Sequence, residues 1–167
     1  VSVVPSYTAT LTTLPNPPNL CDGDPVTIEA NAVGGANYEF FVDGLTQGAP
    51  SGLRTLNGIF NNGQQITVAI SVSSCTITSD PITIITNPNP ISTLSAVGVV
   101  SNTICENNLP TILANPVGNY SYTFFVNDLP VPPAAVTTNS LDLSQLPSVT
   151  NPIKIDVTVL DNITGCS

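Results

Sequence analysis

Apolar and polar side chains alternate with a period of two along several short segments of the chain. The apolar members of three such segments are Val26, Ile28 and Ala30; Ile66, Val68, Ile70 and Val72; and Ile153, Ile155, Val157 and Val159. This period is typical of a β-strand with one buried face, and most of these residues are β-branched, as strands favour. Turn pairs such as Asp43-Gly44 and Asn62-Gly63 separate the segments, and the 16 prolines argue against long helices.

The sequence repeats itself once. Three blocks recur 84 residues later without a gap: Leu20-Cys21-Asp22 as Ile104-Cys105-Glu106, residues 27–31 as 111–115, and residues 38–43 as 122–127. With a shift of 87, residues 66–72 fall on 153–159, and Cys75 and Cys166 then close the two repeats. We place the domain boundary at the Asn-Pro-Asn-Pro run that starts at Asn87, which gives one domain over 1–86 and a second over 87–167.

About six or seven short strands in each repeat indicate a β-sandwich. We therefore predict an all-β protein of two tandem immunoglobulin-like antiparallel β-sandwich domains, each with one disulfide. The predicted strands of the first repeat are 6–14, 26–32, 38–42, 53–56, 65–73 and 76–85. Those of the second are 91–99, 111–115, 120–126, 141–143 and 153–160.

The second repeat is shorter than the first after its closing cysteine. Residues 76–85 follow Cys75 and form the last predicted strand of the first repeat, whereas only Ser167 follows Cys166. We therefore expect the second sandwich to lack its last strand, with that strand supplied either by a longer parent chain or by a neighbouring molecule. The chain also contains no Met and starts at Val1, so we expect a processed product or an internal fragment.

The charge balance excludes several functions. The chain has 11 acidic residues and only two basic ones, Arg54 and Lys154, for a net charge of −9. Nucleic-acid binding needs clustered cations, so we expect no nucleic-acid partner, and no apolar run is long enough for direct membrane insertion. The chain has no histidine, which removes Ser-His-Asp and Cys-His catalysis and histidine metal ligands. We therefore predict that the chain is not an enzyme and needs no cofactor, with bound Ca²⁺ as the one exception.

Four cysteines allow three disulfide pairings. The repeat favours Cys21 with Cys75 and Cys105 with Cys166, each bridge closing one pole of a sandwich. Such bridges would indicate an oxidising compartment. Four free thiols and a zinc site are the alternatives, although the chain has neither a CxxC pair nor a histidine.

Two further pairs of residues are candidate binding sites. Asp22 and Asp24 lie in one turn and carry the oxygen ligands that Ca²⁺ prefers, although a solvated turn is the favoured interpretation. Phe41 and Phe125 occupy matching positions in the aromatic blocks of the two repeats and point away from the face of their neighbours. They are candidates for stacking against a sugar, with ordinary strand packing as the alternative.

The block from Cys21 to Ile28, the block from Tyr38 to Gly44 and the closing cysteine resemble the immunoglobulin-like or PKD-like repeats of very large Bacteroidetes surface adhesins, including gliding-motility adhesins. The resemblance covers nearly the whole chain, twice. It implies export by the type IX secretion system, display on the cell surface, and adhesion to a substratum or a polysaccharide, with neighbouring repeats of the same protein as partners. The second repeat departs from the pattern at Glu106, where the Asp-Gly-Asp turn is lost.

We therefore predict a non-catalytic repeat segment of an extracellular cell-surface adhesin that acts as a stiff spacer and adhesive stalk. One alternative is a subunit of an extracellular filament completed by strand exchange. Another is a carbohydrate-binding module of a secreted enzyme.

Overall fold

A computed structural model describes residues 6–14, 19–97, 108–132, 136–146 and 152–167. The chain is all-β, as predicted, and the only helical element in those residues is a single 3-10 turn, Leu143–Gln145. It divides into two compact units, Val1–Pro88 and Asn89–Ser167. Each unit has its own hydrophobic cluster.

In the described residues, the first unit contains ten strands, of which eight form two main sheets. They are β1 Leu11–Leu14, β2 Leu20–Cys21, β3 Pro25–Ala30, β4 Asn37–Val42, β5 Leu45–Thr46, β6 Thr55–Ile59, β7 Gln65–Val72, β8 Cys75–Thr78, β9 Ile82–Thr83 and β10 Thr86–Asn87. One antiparallel sheet has the order β1-β3-β6, and the other has the order β5-β4-β7-β8, with β9 also paired to β7. The short strands β2 and β10 form a separate parallel pair.

The core of the first unit lies between its two main sheets. Val26, Ile28 and Ala30 come from β3, and their neighbours Thr27 and Glu29 face outward, as the period of two predicts. The opposite wall consists of Tyr38, Phe40 and Val42 from β4 with Ile66, Val68 and Ile70 from β7. Because the inner faces of both sheets contribute to one buried cluster, the unit is a β-sandwich.

The chain reaches the first unit at one pole of the sandwich and leaves it at the other. At the N-terminal pole, the Tyr7 hydroxyl donates hydrogen bonds to the carbonyls of Ile70 (3.0 Å) and Cys75 (2.7 Å). At the C-terminal pole, the amide of Thr86 donates to the side chain of Asn62 (3.1 Å), which lies in the turn before β7. Since β7 has eight residues, the poles lie about 23 Å apart at the usual rise of 3.3 Å per residue.

The second unit has a smaller set of strands. They are β11 Thr93–Ala96, β12 Thr111–Asn115, β13 Tyr120–Val126, β14 Leu129–Pro130, β15 Val136–Thr137, β16 Ser140–Asp142 and β17 Ile155–Asp161. One antiparallel sheet has the order β11-β12-β16-β15, and the other has the order β14-β13-β17. The buried cluster of this unit contains Ile112, Ala114, Phe124, Leu141 and Leu143.

The two units have corresponding strands, but β7 and β17 are separated by a different number of residues than the sequence repeat predicted. Phe40 pairs with Val68 across β4 and β7, and Phe124 pairs with Val157 across β13 and β17. The structural counterpart of a β7 residue therefore lies 89 positions later, not 87. The predicted shift was wrong by two residues, which preserves the buried face because side chains alternate with a period of two.

One predicted strand of the first unit is interrupted. The segment 76–85 forms β8 and β9, separated by Ser79, Asp80 and Pro81. Proline has no N–H to donate to a ladder. The side chain of Ser79 bonds to β7 here, which keeps the segment against the sheet where regular pairing stops.

Candidate functional site

The predicted Cys21–Cys75 disulfide is absent, because Cys75 is a free and exposed thiol. Cys75 pairs with Val72 at the N-terminal pole, whereas Cys21 pairs with Asn87 at the C-terminal pole. A disulfide needs Cα atoms within about 7 Å, much less than the length of β7. The prediction failed because β3 and β7 both run from the C-terminal pole to the N-terminal pole. The residue before β3 and the residue after β7 are consequently at opposite ends of the sandwich.

Cys21 and Cys166 are each disulfide-bonded, and Cys166 is almost completely buried. Cys105, which was predicted to pair with Cys166, lies outside the described residues. Disulfides form and persist in oxidising compartments. The bonded cysteines therefore indicate a protein that matures outside the reducing cytosol.

The two candidate calcium ligands both hold the turn between β2 and β3. The amide of Cys21 donates to the Asp24 carboxylate (2.9 Å), and the amide of Asp24 donates to the carbonyl of Cys21 (3.0 Å). The Asp22 carboxylate instead accepts a hydrogen bond from the Thr86 hydroxyl. Both carboxylates therefore have hydrogen-bonding roles at the C-terminal pole of the first unit. No group of three or more His, Cys, Asp or Glu residues that could hold a metal ion occurs in the part of the chain that the structure describes.

The two candidate sugar-stacking residues lie at matching positions, one in each unit. Phe41 and Phe125 are both half-buried, and each follows a buried phenylalanine in its strand. Phe41 lies beside Thr46 and Thr67, whereas Phe125 lies beside Pro130 and Asp156. Each ring is therefore on the outer face of its sheet, where an aromatic side chain can contact a ligand. The flanking residues differ, so the two positions do not form the same chemical surface.

The two basic residues form ion pairs on the outer surface. Arg54 lies 2.7 Å from Glu29 in the first unit. In the second unit, Lys154 lies 2.7 Å from Asp128 and 2.9 Å from Asp156. The hydrogen bonds from Lys154 to Asp128, then to Asp156, raise the pKa of the lysine above its ordinary value. Both cations are thus neutralised locally, which leaves the outer surface acidic.

Two acids of the second unit stabilise turns. The Asp142 carboxylate accepts hydrogen bonds from the hydroxyl (2.7 Å) and amide (3.0 Å) of Ser144, which lower the pKa of Asp142. The Asp161 carboxylate accepts from the amides of Ile163 (2.8 Å) and Thr164 (3.3 Å), and these bonds lower its pKa in the same way. Both carboxylates are therefore held ionised as turn caps, a role that was not predicted for them.

Two tyrosine hydroxyls also have structural roles that were not predicted. Tyr38 accepts a hydrogen bond from the amide of Val33 (2.8 Å), and Tyr122 donates one to the carbonyl of Pro116 (2.5 Å). Each bond fixes the loop that precedes the aromatic strand of its unit. The signal was present in the sequence, because a tyrosine begins the aromatic block in both repeats and a buried hydroxyl needs a partner.

Comparison with known proteins adds no identification: no model of a known protein family matches the chain, and no curated protein matches it either. None of the helices in the described residues has the length and apolar character needed to span a bilayer.

Proposed function

We propose that this chain is a non-catalytic repeat segment of a long extracellular surface adhesin, in which it acts as a stiff spacer and adhesive stalk. The observation that carries the proposal is the course of the chain through the first unit, from Tyr7 at one pole to Thr86 at the other. A unit connected at opposite poles adds its full length to a tandem array. A unit with both connections at one pole adds much less.

The segment between the units also supports a spacer. β10 ends at Asn87 and β11 begins at Thr93, so only five residues connect them, including Pro88 and Pro90. Proline-containing linkers are semi-rigid. The chain is fixed up to the start of this linker, because the carbonyl of Asn87 accepts a hydrogen bond from the amide of Asp22 (2.9 Å).

The surface chemistry supports the extracellular part of the proposal. The sequence motifs resemble repeats of type IX secreted adhesins, and the bonded cysteines fit an oxidising environment. The chain offers trypsin-like proteases only Arg54 and Lys154, which suits a protein exposed on a surface. On this proposal the chain contacts neighbouring repeats and a substratum or polysaccharide, and it contributes to gliding motility in a cell that glides.

Immunogold electron microscopy of intact producing cells tests the proposal. Antibodies against this chain are expected to label thin projections on the cell surface, and their Fab fragments are expected to reduce attachment to a solid surface. Fab fragments against an unrelated surface protein are the control. Label confined to the cell interior, or attachment unchanged by saturating Fab, would contradict the proposal. Projections built of this chain alone would favour the extracellular filament instead.

The outer-face positions of the half-buried Phe41 and Phe125 favour one second candidate, a carbohydrate-binding module. A glycan array probed with the intact chain tests it, with F41A and F125A as the informative variants and L45A as the control. Leu45 is a suitable control because its side chain is 72% exposed. Binding that is lost in the phenylalanine variants and kept in the leucine variant would favour the module, and no binding to any glycan would exclude recognition of the glycans displayed.

A further inference from the structure

The outer face of the sheet β5-β4-β7-β8 in the first unit carries short polar side chains around one aromatic ring. Its residues, strand by strand, are Asn37, Glu39 and Phe41 of β4; Thr67, Ala69 and Ser71 of β7; and Thr76 and Thr78 of β8. The hydroxyls of Ser71 and Thr76 lie 2.8 Å apart, which shows that β7 and β8 present these residues on the same side. Glu39 is the only charged residue among them.

The small side chain of Ala69 makes a groove in this face. Ala69 lies directly between Glu39 of β4 and Thr78 of β8, and both are larger. The floor continues along β7 to Thr67 and Ser71, so the groove is about 13 Å long at the usual rise per residue, and β4 and β8 are about 10 Å apart at two strand spacings. Since an α-helix with its side chains is about 10–12 Å wide, the groove fits one extended chain and not a helix.

Phe41 gives one end of the groove an apolar surface. Its ring is half-buried, and its neighbours across the strands are Thr46 and Thr67. Neither threonine is large enough to cover the ring. Ligand sites combine an aromatic surface of this kind with a few polar groups that fix the orientation of the ligand.

Polar groups for that purpose lie next to the ring. The hydroxyl of Thr46 lies 2.9 Å from one carboxylate oxygen of Glu39, which holds the carboxylate in place and leaves its second oxygen as an acceptor. In the part of the chain that the structure describes, the hydroxyls of Thr67 and Thr78 form no hydrogen bond to the protein. Because a hydroxyl both donates and accepts, these groups can exchange hydrogen bonds with the hydroxyls of a sugar.

The charges restrict the class of ligand. Neither basic residue of the chain lies on this face, since Arg54 is paired with Glu29 of β3 (2.7 Å) and Lys154 belongs to the second unit. An anionic polymer would meet no cation here and would be repelled by a chain of net charge −9. A cationic polymer would meet only the carboxylate of Glu39. The groove therefore favours an uncharged ligand.

We propose that this groove binds a neutral, unbranched polysaccharide. The polysaccharide lies along β7, with one sugar ring stacked on Phe41 and its hydroxyls bonded to Glu39, Thr67 and Thr78. The inference rests on the proposed adhesive role of the chain, for which it names the class of ligand and the unit that binds it.

The second unit does not have this groove. By the register of β13 with β17, Thr158 occupies the position of Ala69 and Leu160 that of Ser71. Both are exposed and larger than the residues that they replace, so they fill the floor. The third floor position is Asp156, which places an acid where the first unit has a neutral hydroxyl. Binding is therefore a property of the first unit.

Affinity electrophoresis of the intact chain tests the groove. The native gels contain mixed-linkage β-glucan, linear mannan or dextran, with alginate as the anionic control. At least one of the three neutral polymers is expected to slow the chain, whereas alginate is expected to leave its mobility unchanged.

Three leucine variants locate the binding. A69L fills the floor of the groove, and F41L removes the aromatic ring while keeping an apolar side chain, so each is expected to weaken binding at least tenfold. T158L is the matched control, because it adds the same side chain at the equivalent position of the second unit, and its binding is expected to equal that of the unmodified chain. If F41L does not fold, the comparison of A69L with T158L still decides.

Unchanged mobility in all three neutral polymers would overturn the inference. Equal weakening by A69L and T158L would also overturn it, as would stronger retardation by alginate than by any neutral polymer. The immunogold experiment separates this inference from the proposed function. Labelled surface projections without retardation would refute the groove alone, whereas retardation with label confined to the cell interior would refute the surface stalk alone.

Discussion

Val68 and Ser79 exchange two hydrogen bonds across the gap between β8 and β9. The amide of Val68 donates to the Ser79 hydroxyl (3.1 Å), and the amide of Ser79 donates to the carbonyl of Val68 (2.9 Å). Both residues are buried. A side-chain oxygen thus takes the place of a ladder carbonyl at the point where Pro81 interrupts the strand.

We expect S79A to destabilise the first unit by about 1–2 kcal/mol, because the buried amide of Val68 loses its acceptor. Urea unfolding of the intact chain measures the change. T76A is the matched control, since the Thr76 hydroxyl bonds to Ser71 on the exposed surface (2.8 Å), and it is expected to change the stability by less than about 0.5 kcal/mol. Equal effects of the two substitutions would show that the hydroxyl of Ser79 is not essential.

The reactivity of Cys75 is a second prediction. Its exposed thiol is expected to react with a maleimide in the folded chain without reductant, whereas Cys21 and Cys166 are expected to react only after reduction. C75S is expected to melt within experimental error of the unmodified chain, because the side chain has no disulfide partner. Non-reducing peptide mapping that finds Cys75 in a disulfide would contradict the structure.

Resistance to trypsin is a third prediction. The carbonyl of Arg54 accepts a hydrogen bond from the amide of Ala30 (2.8 Å), and the carbonyl of Lys154 accepts one from Asn127 (2.9 Å). Backbone that is held in this way is cut only after local opening, so the folded chain is expected to survive for hours. Q47K, which places a cleavage site in an exposed loop, is the positive control. Rapid cleavage after Arg54 in the unmodified chain would show that this segment opens readily.

Acid sensitivity of the second unit is a fourth prediction. The pKa values of Asp142 and Asp161 are lowered below their ordinary value of 3.8 in the folded chain. Their contribution to stability is therefore present above 3.8 and lost as the pH falls through the lowered values. Thermal unfolding between pH 5 and about pH 2 is expected to show this loss, and the double variant D142N/D161N is expected to show a weaker pH dependence. An unchanged dependence would assign the acid sensitivity to other groups.

The alternation of side chains was sufficient to predict most strands of both repeats. The predicted strands 111–115 and 120–126 have the bounds of β12 and β13, because each contains a regular alternation bounded by turn residues. The interruption at Ser79 was not predicted, since the Ile-Thr pattern continues on both sides of Pro81. Its cause is a bond between a side chain and the backbone of another strand, which a local pattern does not contain.

The disulfide prediction failed for a different reason. Alternation identifies the buried face of a strand, but it does not say at which pole the strand begins. Cys21 and Cys75 each flank a strand, and only their tertiary contacts, with Asn87 at one pole and with Tyr7 at the other, show that they lie at opposite ends. The ion pairs of Glu29 and Asp128 were missed similarly, because Arg54 and Lys154 are distant from them in sequence. The turn roles of Asp142 and Asp161 were missed because they depend on the local turn geometry of the two or three residues that follow each acid.

The opposite-pole connections of the first unit have a mechanical consequence. A tension applied between the residues on either side of the unit pulls β1 and β10 along their own axes and out of opposite ends. The four residue pairs of β1 with β3, and the two of β10 with β2, are then loaded in shear. Bonds loaded in this way share the force and yield together, whereas strands that are peeled from one end yield one bond at a time. The first unit is therefore expected to resist stretching along its strands, which is the property that the proposed spacer role requires.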